Sequence, residues 1–177
     1  MKKLLNEELD RPNIDEFKQL KKLPYVIVLD NIRSMHNIGS VFRTSDAFLA
    51  DAVYLCGITA TPPHKDIHKT ALGSTESVQW KYFYETISAI QYLKSEGFKI
   101  IAVEQTNKSI LLKNFLPEKN EKYALIFGHE VRGVEQAVVD LCDFAIEVPQ
   151  FGTKHSLNIS VCAGIVIWEL FNKIKLL

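Results

Sequence analysis

Several things are scarce in this sequence, and each scarcity closes off a class of protein. There are three cysteines, Cys56, Cys142 and Cys162, and none shares a Cys-x-x-Cys spacing. That leaves no disulfide framework and no cysteine-built zinc site; buried reduced thiols are the natural reading. No apolar run is long enough for a membrane span or a signal peptide, which points to the cytoplasm. Charge of one sign is not in excess, since 21 Lys and Arg balance 21 Asp and Glu. A basic coat for nucleic acid is therefore absent, while a local basic patch stays open. Gly-x-Gly-x-x-Gly occurs nowhere, which removes the dinucleotide-binding fingerprint. There is no internal repeat and no low-complexity tract.

What is present is a normal globular composition. Apolar residues make up 47% of 177 residues, enough for one domain with a substantial core. Residues 1–23 are polar and read as a short helical extension, with Asn13 and Glu16 placed for a capping box. Residues 24–177 read as the main domain. Short apolar runs at 25–29, 52–56, 99–103, 123–127 and 144–148 suit buried strands. Helical spacing recurs between them: Ile38, Val41 and Phe42, then Ile87, Ile90 and Leu93 with a stop at Gly97, then a helix from Val134. A terminal helix is expected over 156–173. Strands alternating with helices predict an α/β fold with a mostly parallel sheet.

Ligands of such sheets bind where the strands end, and three loops at expected strand ends stand out. In the first, Asn37-Ile38-Gly39-Ser40-Val41-Phe42-Arg43 opens a helix. Gly39 would permit close backbone approach, and Arg43 would bring a fixed positive charge with several donors. A plain glycine turn with a surface arginine is the other reading. In the second, Gly128-His129-Glu130-Val131-Arg132-Gly133 has the spacing of a phosphate loop. Val134-Glu135 follows it in place of Lys-Ser/Thr, which excludes a Walker loop. Glu130 is placed to anchor a neighbouring loop or a ligand hydroxyl; a solvated turn carboxylate is the alternative. In the third, Ser156-Leu157-Asn158 begins the expected terminal helix, where free amides can hold anionic or polar ligand atoms. Otherwise Ser156 caps that helix and Asn158 is a first-turn polar residue.

Two other groups carry less. His64 and His68 stand four residues apart, a spacing that can hold a metal on a helix. No third histidine or cysteine follows at ligand spacing, so a basic loop with Lys65 and Lys69 is expected and no metal. Trp80, Tyr82, Phe83 and Tyr84 form an aromatic cluster, for which core packing is the expectation and base stacking the alternative.

In order and together, the three motifs resemble those of the SpoU/TrmH branch of the SPOUT methyltransferases. Asn37, Gly39 and Arg43 match that family's Asn-x-Gly-x-x-x-Arg. Gly128, Glu130 and Gly133 match its Gly-x-Glu-x-x-Gly. Val148-Pro149 and Ser156-Leu157-Asn158 match its Ile/Val-Pro stretch and Ser-Leu-Asn, with Gln150 where the family often has Met. The likeness covers about residues 24–173. It implies a C-terminal deep trefoil knot, S-adenosylmethionine as cofactor, a homodimer, and methylation of a ribose 2′-hydroxyl in RNA. By position it implies Thr106, Gly128, Val148, Ser156 and Leu157 as cofactor contacts. It also implies Arg43, Asn37, Glu130, Ser156 and Asn158 as the catalytic set. Arg43 serves either as a base or, as guanidinium chemistry favours, as an electrostatic stabiliser. The face of the terminal helix bearing Ile165, Trp168 and Phe171 is expected to be a dimer contact or ordinary core. Relatives with so little chain outside this domain are commonly tRNA enzymes, so tRNA is the expected substrate. Ribosomal RNA and a non-catalytic RNA-binding dimer are the alternatives.

Overall fold

The alternation of apolar runs and amphipathic segments becomes one sheet covered by helices on both faces in a computed structural model, which describes residues 1–176. Leu177, the expected end of the domain, lies outside the described residues. Before the sheet come a 3-10 turn at Asn6–Leu9 and a short helix α1, Ile14–Gln19. The N-terminal extension is therefore helical in two brief pieces rather than throughout. The capping box forms as expected. Asn13 Oδ1 accepts from the Glu16 N–H at 3.0 Å, and Glu16 accepts from the Asn13 N–H at 2.9 Å.

The strands are β1 Leu23–Asp30, β2 Ala50–Cys56, β3 Gln79–Phe83, β4 Phe98–Val103, β5 Ile110–Leu111, β6 Lys122–Phe127 and β7 Phe144–Glu147. Their order is β3-β2-β1-β6-β4-β7-β5, and every neighbouring pair is parallel. Strands β1 and β6 lie in the middle and are buried on both faces, which is why their sequences are continuous apolar runs without alternation.

The helices are α2 Met35–Ala47, α3 Lys65–Ala71, α4 Ser74–Ser77, α5 Thr86–Ser95, α6 Gln136–Val139 and α7 Ile159–Lys175. On one face, Ile27, Leu29, Leu125 and Phe127 pack with Ile38 and Phe42 of α2 and Ala163, Val166 and Ile167 of α7. On the other, Val26, Val28, Ala124 and Ile126 meet Ile90 and Leu93 of α5 and Val138 of α6.

Two features of this topology set up the site. All strands are parallel, so all their carboxyl ends lie along one edge. The chain runs outward from β1 to β3, crosses to β4, and returns to place β6 beside β1, making a switch point between β1 and β6. Strand β7 then enters between β4 and β5, which are consecutive in the chain. Lys173, near the end of α7, donates to the carbonyls of Leu112 at 2.8 Å, Lys113 at 3.1 Å and Phe115 at 2.8 Å. The end of α7 is thereby latched to the segment that follows β5.

Three expectations are corrected. The helix expected from Val134 is the single turn α6. The segment after Pro62-Pro63 is helical, because His64 Nδ1 accepts from the Asp66 N–H at 3.2 Å and starts α3. The terminal helix starts at Ile159 rather than Ser156. Asn158 is its cap, with Oδ1 accepting from the N–H groups of Ser160 at 2.9 Å and Val161 at 3.4 Å. Ser156 and Leu157 are thus freed from the helix and belong to the loop before it. Among the described residues, no helix is long and apolar enough to cross a membrane.

Candidate active site at the carboxyl ends of the strands

The loops leaving β4, β6 and β7 wall a cavity of roughly 1110 Å³. Residues 104–108 come from β4, 128–134 from β6, and Val148, Gln150 and 155–158 from β7. Glycine allows the β6 loop its shape. A Cβ on Gly128 would stand 2.1 Å from the carbonyl carbon of Gly133 and 2.2 Å from the Val134 nitrogen. Gly133 adopts φ +66° and donates its N–H to the His129 carbonyl at 2.8 Å, closing the loop on itself.

Hydrogen bonds tie these loops to one another and to the start of α2. The Glu130 carboxylate accepts from the N–H of Arg33 at 3.1 Å, the N–H of Ser34 at 3.0 Å and the Asn37 side-chain amide at 3.1 Å. Asn37 Oδ1 in turn accepts from the Asn158 amide at 3.2 Å. A continuous chain, Glu130 to Asn37 to Asn158, therefore joins one residue from each of the three motif segments. Burial raises the Glu130 pKa, but the N–H groups of Ser34, Arg33 and its own backbone, with the Asn37 amide, outweigh it. Its pKa falls below the ordinary glutamate value, so the carboxylate is charged at neutral pH.

The structure brings most of the expected site residues together. Thr106, Gly128, Glu130, Val148, Ser156, Leu157 and Asn158 all line the cavity, and Asn37 is bonded to two of them. Arg43 is the exception. It is exposed on α2, makes no ion pair among the described residues, and is not part of the cavity wall. Six residues beyond Asn37, it points about 120° away around the helix. Gly39 also plays a different part from the one expected. A Cβ there would lie 2.2 Å from both the Ile67 carbonyl oxygen and Thr70 Oγ1, so this glycine lets α2 approach α3, not a ligand.

The model of the SpoU rRNA Methylase family matches residues 24–168. The chain belongs to this family. A Staphylococcus epidermidis protein named for the TrmH family of tRNA/rRNA methyltransferases is 33% identical over 165 residues, covering 91% of this chain and 65% of that protein. The 23S rRNA (guanosine-2′-O-)-methyltransferase of Neisseria meningitidis is 30% identical, over 88% of this chain and 61% of its own length. The chain thus spans less than two thirds of these curated relatives. Among solved structures, the A. aeolicus TrmH/SpoU tRNA modifying enzyme superposes with a TM-score of 0.80 at 23% identity, over 92% of this chain and 81% of that one. The SpoU methyltransferase AviRb of Streptomyces viridochromogenes, solved with AdoMet, gives 0.77 at 19% identity, over 94% and 66%. These structures share the fold.

Within this SpoU-family chain, some site residues were not legible in the motifs. Glu104, just past β4, accepts from the Val134 N–H at 3.0 Å and from the Gln105 N–H at 2.8 Å. The Gln105 amide donates to the His155 carbonyl at 2.8 Å. Together they pin the β4 loop to both of its neighbours. His129 is buried, and its Nδ1 accepts from the Val131 N–H at 3.0 Å, which braces the turn that presents Glu130. Cys162 also borders the cavity. Burial pushes its thiol up to about 11, so it is protonated at neutral pH and is no nucleophile.

Proposed function

We propose that this chain is a cytoplasmic RNA methyltransferase that uses S-adenosylmethionine to methylate a ribose 2′-hydroxyl, with tRNA as its substrate. The observation that carries the reading is the hydrogen-bonded chain from Glu130 through Asn37 to Asn158 beside the strand-end cavity. It orders in one place the residues whose spacing the family shares. Residues 24–177 are the catalytic unit in this reading, and residues 1–23 a short extension. The tRNA assignment draws support from the fold shared with the A. aeolicus tRNA modifying enzyme.

The cavity suits the cofactor. Its volume exceeds what a drug-sized ligand needs. Among the described residues, the backbone groups of Val148, Ser156 and Leu157 form no hydrogen bond within the chain, so they are available to a ligand. Phe127, Val139 and Ile146 add apolar wall suited to an adenine ring. When bound, S-adenosylmethionine supplies the electrophilic methyl carbon.

The chain's own work is to make a poor nucleophile reactive. A ribose hydroxyl holds its proton tightly, so the site must stabilise the alkoxide as it develops. Glu130 and Asn37 position Asn158 and the start of α2, while Ser156 offers a free hydroxyl at the cavity wall. Arg43 supplies fixed positive charge as a stabiliser, because a guanidinium stays protonated at neutral pH. Since Arg43 faces away from its own cavity, we assign it to the cavity of a second copy. The dimer is supported by α7, which leaves Val161 52% and Trp168 51% exposed beside Ile165. Phe171 lies half-buried beneath, its ring stacked on Trp168 at 6.1 Å between centroids. The C-terminal segment is read as the trefoil knot, supported by the entry of β7 between β4 and β5 and the Lys173 latch.

Arg43→Ala is the test. It is expected to abolish methyl transfer to tRNA while calorimetric titration still detects S-adenosylmethionine binding. Near-normal turnover by the variant would remove Arg43 from the mechanism, and transfer to ribosomal RNA alone would replace the substrate.

A further inference from the structure

The aromatic cluster at Trp80–Tyr84 is core only in part: Trp80 and Phe83 are half-buried against the two cores, while Tyr82 and Tyr84 are exposed. The cluster lies on β3, the edge strand next to β2. Trp80 is paired with Val53 and Tyr82 with Leu55, so both project to the same face of the sheet as α2. Tyr82 is 46% exposed, and Tyr84, just past the strand, is 82% exposed. The Tyr82 hydroxyl donates to the Gly57 carbonyl at 3.0 Å, which holds its ring over the loop leaving β2. Beside Trp80 opens a second cavity of roughly 460 Å³, walled by Pro62, Pro63, His64 and His68. Lys65 borders it and is exposed, with no carboxylate partner among the described residues, whereas Lys69 is paired with Asp66 at 2.7 Å.

The chemistry of this surface is that of flat rings with one exposed cation, Lys65, and one exposed carboxylate, Glu76, at the cavity wall. An indole, two pyrrolidines and two imidazoles present planar or blunt faces, not an aliphatic slot. Alternate residues on a strand face repeat about every 6.6–6.8 Å, close to two nucleotide rises of ~3.4 Å. Rings so spaced leave room for one base between neighbours, held by stacking, which every base can do, while a lysine meets the backbone phosphate. The placement is fixed relative to the active site. Thr70 of α3 donates to the His36 carbonyl of α2 at 2.9 Å, and the loop after β2 leaves by the same edge as the loops around the larger cavity.

We propose that Trp80, Tyr82 and Tyr84, with the cavity beside Trp80, form a stacking platform for a single-stranded segment of the RNA substrate, separate from the pocket where the methyl group moves. The proposal rests on the RNA reading above, and its test separates the two. Trp168→Phe leaves Trp80 as the one tryptophan of the full chain. Titrating that protein with a short single-stranded oligoribonucleotide is expected to quench Trp80 emission saturably. In the same background, Tyr82→Ala with Tyr84→Ala is expected to weaken oligonucleotide binding about tenfold, with S-adenosylmethionine binding unchanged. Trp80→Phe is expected to keep most of the affinity that Trp80→Ala loses. Unchanged emission while anisotropy shows the RNA bound, or parental affinity in the double variant, would overturn the platform and leave the methyltransferase reading standing. Conversion of a dimer to a monomer by the double variant, with RNA affinity retained, would reassign the surface to a second copy and overturn it too. If no RNA of any kind binds, both readings fall.

Discussion

Three donors converge on the Glu130 carboxylate from the start of α2, and this one side chain decides how two motif segments face each other. Because those donors favour the charged form, its folded pKa lies below the ordinary glutamate value. The stability it contributes is present above the unfolded-state pKa and is lost as pH falls through the folded one. Glu130→Gln removes that titration while keeping the shape. Thermal unfolding followed from pH 7 down to pH 3 is therefore expected to show the parent losing more stability than the variant. Parallel curves would mean that Glu130 is not clamped in solution. Asn37→Ala is expected to cost about 1 kcal/mol by breaking the bonds on both sides of it. It should also lower methyl transfer by more than it lowers stability, which paired denaturation and activity measurements would show.

Gly39 shows how one element depends on another. Helices α2 and α3 touch there so closely that a methyl group has no room, with a backbone oxygen as one of the obstructing atoms. Gly39→Ala is expected to destabilise by about 1–3 kcal/mol, visible as a Tm several degrees lower; an unchanged Tm would contradict the packing. That glycine was legible in the sequence as important but not as a helix contact, because its partner α3 was itself hidden. Seven residues after two prolines carry too little periodicity to announce a helix. Strand β3 was hidden for a related reason: an edge strand with exposed rings does not read as a buried run. By contrast, β1, β2, β4, β6 and β7 were legible because burial on both faces demands continuous apolar sequence. Of the site, Asn37, Glu130 and Asn158 were legible through their motif spacing. Glu104 and Gln105 were not, since their partners Val134 and His155 are neighbours only because β4 lies between β6 and β7. Which polar residue of Ser156-Leu157-Asn158 caps α7 was likewise a matter of backbone geometry.

For the molecule as a whole, the proposed second copy would account for both the exposed Arg43 and the half-exposed apolar face of α7. If Arg43 acts across a dimer, two inactive variants can repair one another. In a mixture of Arg43→Ala and Asn158→Ala, each mixed dimer holds one pocket with Asn158 intact and Arg43 supplied by its neighbour. About a quarter of parental activity is then expected after subunit exchange, whereas action within one chain leaves the mixture dead. Both outcomes presuppose the chemistry, which a single measurement tests most directly. The purified protein is incubated with methyl-labelled S-adenosylmethionine and unmodified tRNA, and the RNA is digested to nucleosides for mass spectrometry. The expected result is one 2′-O-methylated nucleoside, present with the parent and absent with Arg43→Ala. A label found on a base, or no label in tRNA at all, would contradict it.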